Sequence, residues 1–132
     1  MRTNTLALSL CGLLVTGSPL LAEGSRIVGP LPGYRCMMLY MTPDQAVDPN
    51  FQVRYYAAPS ESAPDAGLAM AEVAVRDPVQ QVNGFVAARF PTGATVWIKA
   101  NMVVPYHSLS DPTIRCRTVI LQNGHSGFDF YR

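Results

Sequence analysis

Short runs of alternating apolar and polar residues, broken by turn compositions, run along most of the chain. The clearest is Gly84 to Tyr106, G-F-V-A-A-R-F-P-T-G-A-T-V-W-I-K-A-N-M-V-V-P-Y. Successive side chains on a strand point to opposite sides, so Val86, Ala88 and Phe90 share one face and Phe85, Ala87 and Arg89 the other. After Pro91-Thr92-Gly93, Ala94, Val96 and Ile98 oppose Thr95, Trp97 and Lys99. The second set is polar at both ends, which turns Val96 and Ile98 to the core and leaves Trp97 outside it or at its rim. Asn83-Gly84 before the first run and Pro91-Thr92-Gly93 after it are tight-turn compositions, so the stretch predicts a central hairpin. The lone tryptophan has two readings: it packs beneath a loop, or it floors a binding groove.

The same pattern extends to either side. Glu23 to Pro32, with Gly29-Pro30 and Pro32-Gly33, reads as an extended or mobile arm. Tyr34 to Met41 is a dense apolar run, and at this length periodicity does not separate a buried strand from a short helix. Thr42-Pro43-Asp44-Gln45 has the makings of a helix start, with Thr42 as cap, Pro43 in the first turn and Gln45 three residues on. Asp48-Pro49 limits that helix to a turn or two. Phe51 to Ala57 reads as a strand, Ala58 to Gly67 as a polar loop punctuated by proline, and Leu68 to Arg76 as a strand again. Asp77-Pro78 and Asn83-Gly84 bracket a further loop. Past a linker at His107 to Thr113, Ile114 to Gln122 and Phe128 to Tyr131 flank Asn123-Gly124 as a terminal hairpin. Met37, Met38, Met41, Met70 and Met102 lie on apolar runs, where methionine reads as core filler before it reads as a metal site or a sticky surface.

Composition narrows the class. The 132 residues suffice for one domain, and eleven prolines and ten glycines favour turns and short strands over long helices. Only 14% of residues are charged, the net charge is +1, and Lys99 is the single lysine, a balance that disfavours nucleic-acid binding. Residues 1–22 read as a secretory signal peptide: Arg2, then the apolar segment Leu6 to Val15, then Gly17-Ser18-Pro19 and a small residue at Ala22. That segment is too short to span a bilayer, which takes about 20 apolar residues as a helix. Lipoprotein processing at Cys11 fits poorly, because Leu10 stands where a small residue belongs. Removing the leader leaves Cys36 and Cys116, an even pair in an oxidising compartment, and hence an expected disulfide. Two buried free thiols are the alternative, and a metal pair is weaker still without a CxxC or a Cys/His cluster. The expected location is periplasmic or extracellular, with no membrane span once the leader is removed.

From Val53 to about Pro105 the chain resembles bacterial SH3-like domains. Val53-Arg54 and Pro59-Ser60 match the opening V-R strand and P-S loop, and Glu72-Val73-Ala74-Val75 stands at the second strand. Asn83-Gly84-Phe85 matches N-G-W with Phe for Trp, and Gly93 to Ile98 matches G-x-x-G-W-V with Val96 for the last Gly. Lys99 to Val103 falls on the short 3₁₀-like segment that closes such barrels. The resemblance implies an all-β fold, a small SH3-like barrel over 51–106, with an N-terminal extension at 23–50 and a C-terminal linker and hairpin at 107–132. It also implies a binding groove lined by aromatic side chains, for which Tyr55, Tyr56, Phe85, Trp97 and Tyr106 are candidates, with Arg54 and Arg89 as nearby cations. Phe85 for Trp, and Met102 where Tyr is frequent, remove hydrogen-bonding handles from such a groove.

Catalytic groups are sparse. Cys116 with His107 or His125 would make a Cys-His couple, but a disulfide would consume the thiol. His107-Ser108 and Ser110-Asp111 carry the letters of a serine triad only as sequence neighbours, whereas triads converge from separate segments. Alternation sets Asp129 on the wet side of its strand, and two distant histidines make a poor zinc site. The sparse catalytic groups point to a non-catalytic exported module without cofactor or metal, and the SH3-like resemblance implies that it binds cell-wall peptidoglycan or a peptide or protein partner of the envelope. An accessory subunit of an envelope or secretion complex and an inhibitor of a hydrolase or protease are the alternatives. The oligomeric state is not legible.

Overall fold

The structure, a computed structural model, describes Gly12 and residues 25–132. Apart from Gly12 the expected leader lies outside the described residues, as does Cys11. The fold is nearly all β and antiparallel. In chain order it runs β1 (Ile27–Pro30), β2 (Tyr34–Leu39), α1 (Pro43–Val47), β3 (Arg54–Tyr56), β4 (Asp65–Leu68), β5 (Glu72–Arg76), β6 (Gln81–Val82), β7 (Phe85–Arg89) and β8 (Thr95–Lys99). A 3₁₀ turn at Ala100–Met102 leads into β9 (Val103–Pro105), β10 (Arg115–Leu121) and β11 (Ser126–Tyr131).

The central hairpin forms as its alternation predicts. β7 and β8 pair in one unbroken register from Phe85↔Lys99 to Arg89↔Thr95. Val86, Ala88, Val96 and Ile98 enter the core. Asn83 and Gly84 both take positive φ, 52° and 80°, which suits a tight turn between β6 and β7 and strains Asn and Gly least. The capped helix start is also realised: Thr42 Oγ1 accepts the Gln45 N–H and Gln45 Oε1 accepts the Thr42 N–H, at 3.2 and 3.0 Å.

Two sheets result. The larger is ordered β4-β3-β8-β7-β5-β2-β9, with β6 paired to β7 off this path. It curls around a core of Leu39, Val53, Tyr55, Val73, Val75, Val86, Ala88, Val96, Ile98 and Val103. The closed cylinder implied by the family resemblance is not formed, because β4 and β9 end the sheet without pairing to each other. The larger sheet also reaches outside residues 51–106: the apolar run that could have been helix is the strand β2, set between β5 and β9.

The smaller sheet has the order β1-β10-β11. The N-terminal arm is thus not loose: Ile27, Gly29 and Pro30 pair with Leu121, Ile120 and Val119 of the predicted terminal hairpin. Two of the links that fasten this sheet to the larger one lie between β10 and the start of β2. Cys36 on β2 and Cys116 on β10 form a disulfide. The buried hydroxyl of Thr118 donates towards the carbonyls of Leu31 and Tyr34, at 3.0 and 3.2 Å, where β1 bends into β2. Among the described residues no helix is long and apolar enough to cross a membrane.

Candidate functional site

Alternation along β3 separates the two neighbouring tyrosines. Tyr55 points into the core, 3% exposed, edge-on to Phe90 with ring centroids 6.0 Å apart. Burial pushes its hydroxyl up to about 12. Tyr55 therefore lies on the opposite side of the sheet from the expected groove. Tyr56 points outward, directly opposite Trp97 across the β3–β8 pairing, and both are half-buried. Phe85 joins them on the outer face but is itself buried, its ring at 5.2 Å edge-on to Tyr56. A floor of Phe85 beneath Tyr56, with Trp97 alongside, is the part of the expected aromatic face that the fold assembles.

The segment from Ala57 to Pro64 is tied to this face at two points. Asn83 Nδ2 donates to Pro59 O at 3.3 Å, and Glu61 meets Lys99 at 2.9 Å. The bond to Lys99 holds the Glu61 carboxyl below its usual range, and the same bond raises Lys99. The loop expected up to Gly67 is shorter, since β4 begins at Asp65.

The remaining candidates scatter. Arg54 is exposed and ion-paired to Asp65. Tyr106 sits apart, against Phe130 of β11 with centroids 5.6 Å apart. Arg89 lies on the outer face towards β5, beside Tyr34, with its guanidinium carbon 5.9 Å from the ring centre. The seven residues thus form no single groove.

Alternation could not reveal a cleft at the open seam of the larger sheet. A hollow of about 280 Å³ is lined by Leu39, Met41, Phe51, Val53, Leu68 and Met70, among others. A second, of about 140 Å³, is lined by Gln52, Val53, Arg54, Tyr56, Lys99 and Met102. Gln52 and Val53 border both, so an apolar trough adjoins a hollow bearing one aromatic ring and two cations. Met37 and Met102 pack on the core as expected of filler, but Met41 and Met70 do not: they are 37% and 71% exposed along the trough. Their position on apolar runs was the only sequence signal.

Cys116 is bonded to Cys36, so neither thiol serves as a nucleophile. His107 Nδ1 lies 3.3 Å from Pro105 O, and Asp129 is paired to Arg117 at 2.6 Å. Among the described residues no three His, Cys, Asp or Glu side chains are grouped to hold a metal ion. No protein-family model, no curated protein and no solved structure matches this chain.

Proposed function

We propose that this chain is an exported, non-catalytic binding module of the bacterial SH3-like type, which holds an extended peptide such as the stem peptide of cell-wall peptidoglycan. The observation that carries the reading is the adjacency of the two hollows, which share Gln52 and Val53. Apolar side chains of the ligand would lie along Met41, Phe51, Leu68 and Met70, where methionine adapts to varied shapes. A ligand carboxylate would sit near Arg54 and Lys99 beside Tyr56, displacing the exposed acids that now pair with those cations. β4, at the edge of the larger sheet, adds unpaired backbone groups next to the trough, a common way to recognise extended chains. The 3₁₀ turn at Ala100–Met102, between β8 and β9, falls where the family outline has one and supports the SH3-like reading. The disulfide is compatible with an oxidising, exported setting.

Pull-down on purified cell-wall sacculi tests the proposal, with Tyr56→Ala and Met70→Glu as variants and Trp97→Ala as a neighbour outside the trough's lining. Retention of wild type with loss in the first two supports it. Equal retention of all proteins removes the named cleft. No retention of wild type removes the ligand class and favours a protein partner within an envelope assembly.

A further inference from the structure

Two arginines converge on one ring at the opposite end of the larger sheet. Tyr34 on β2 stands directly across from Arg76 on β5, and Arg89 on β7 is the partner of Ala74, two residues before Arg76. Alternation puts all three side chains on the outer face. The guanidinium carbons of Arg76 and Arg89 each lie 5.9 Å from the centre of the Tyr34 ring. Two like charges held at one ring repel, and the ring's electron-rich face offsets only part of that cost. Five other cations, Arg35, Arg54, Lys99, Arg117 and Arg132, each have a carboxylate partner, whereas Arg26 and Arg115 have none among the described residues. Neither Arg76 nor Arg89 has one among the described residues.

A second observation concerns the same group. Nε of Arg89 is buried and has no acceptor among the described residues. A charged donor withdrawn from water without a partner is costly and uncommon in folded chains. Next to the ring, at the junction of the two sheets, is a hollow of about 360 Å³ bordered by Tyr34, Arg35, Cys36, Cys116 and Arg117. Its two arginines add positive potential, although each is already paired to an aspartate.

We propose that Arg76, Tyr34 and Arg89 form a site for one small oxyanion, a carboxylate or a phosphate group. Such an anion would relieve the repulsion of the two guanidiniums and take hydrogen bonds from their forks, the geometry for which arginine is suited. The site lies apart from the seam cleft and shares none of its lining residues, so it stands whether or not a peptide binds there.

The test uses the purified disulfide-bonded protein and follows the Nε–Hε resonances of its arginines. Sodium acetate and inorganic phosphate are titrated separately, against sodium chloride at matched ionic strength. A saturable shift of the Arg89 and Arg76 resonances with either anion, absent with chloride, supports the site, and the anion that saturates identifies the ligand chemistry. Arg76→Gln, an exposed change that leaves the core untouched, should weaken that saturation by about tenfold or more, as expected for loss of one charge-assisted hydrogen bond. Arg89→Lys keeps the charge but loses the fork and should weaken it as well. Shifts no larger than those with chloride overturn the proposal. So does saturation that Arg76→Gln leaves unchanged.

Discussion

Cys36 and Cys116 join strands of different sheets, β2 within the larger and β10 at the middle of the smaller, across 80 residues of sequence. The bond therefore fastens β1, β10 and β11 to the curled sheet that carries the core. Closing so long a loop in the unfolded chain is worth roughly 3–5 kcal/mol in the chain-entropy account. Replacing both cysteines by serine should lower the stability measured in urea by about that amount. The loss should be reproduced by reductant in the wild type and not deepened by reductant in the variant.

Tyr55 sets an alkaline limit. Its hydroxyl is pushed up to about 12 by burial, against an ordinary value near 10. The folded state then holds the proton more tightly than the unfolded one. Its contribution is complete below pH 10 and fades as pH rises through the window from 10 to about 12. A displacement of about two units corresponds to roughly 2–3 kcal/mol lost above that window. Denaturation followed from pH 9 to 12 should show this fall in the wild type and a smaller one in Tyr55→Phe.

Gly67 is held by shape as well as by backbone angle. Its φ is +116°, and a β-carbon there would lie 2.8 Å from Phe90 Cε2. Phe90 is the ring that stacks edge-on against Tyr55. Gly67→Ala must strain the backbone and move that ring, which should cost about 1–3 kcal/mol in urea denaturation. A neutral result would mean that Gly67 on β4 does not approach Phe90.

Ile98 is fully buried at the centre of the core. Truncating it to alanine removes its contacts and leaves a hollow, for an expected loss of about 2–5 kcal/mol. Val28, 61% exposed on β1, is a control where the same change should shift stability by no more than about 0.5 kcal/mol.

Much of the local structure was legible before any coordinates. Period-two alternation identified β7 and β8, and with them the burial of Val96 and Ile98. The Thr42-to-Gln45 spacing identified α1, because a capping box is made within four residues. Asn123-Gly124 marked the turn between β10 and β11, where Gly124 takes φ +82°. Each of these depends on neighbours in the chain. The placement of Tyr34 to Met41 was not legible, since an apolar run of eight suits a strand buried on both faces as well as a short helix. Its neighbours β5 and β9 come from far along the chain and settle it as a strand.

By itself the sequence determined β7, β8, β10 and β11, the turns beside them and the side of β7 and β8 that meets the core, because alternation and turn chemistry are properties of adjacent residues. It also supplied Cys36 and Cys116. Tertiary structure alone decided which strands became neighbours: that the arm before residue 31 is β1, that the larger sheet stops short of closing, and that Met41 and Met70 border a trough. It also decided that Tyr55 and Tyr56 part company while Arg76 and Arg89 meet over Tyr34. Those outcomes rest on contacts between residues tens of positions apart, whose free energy is shared over the whole core and is encoded by no single stretch.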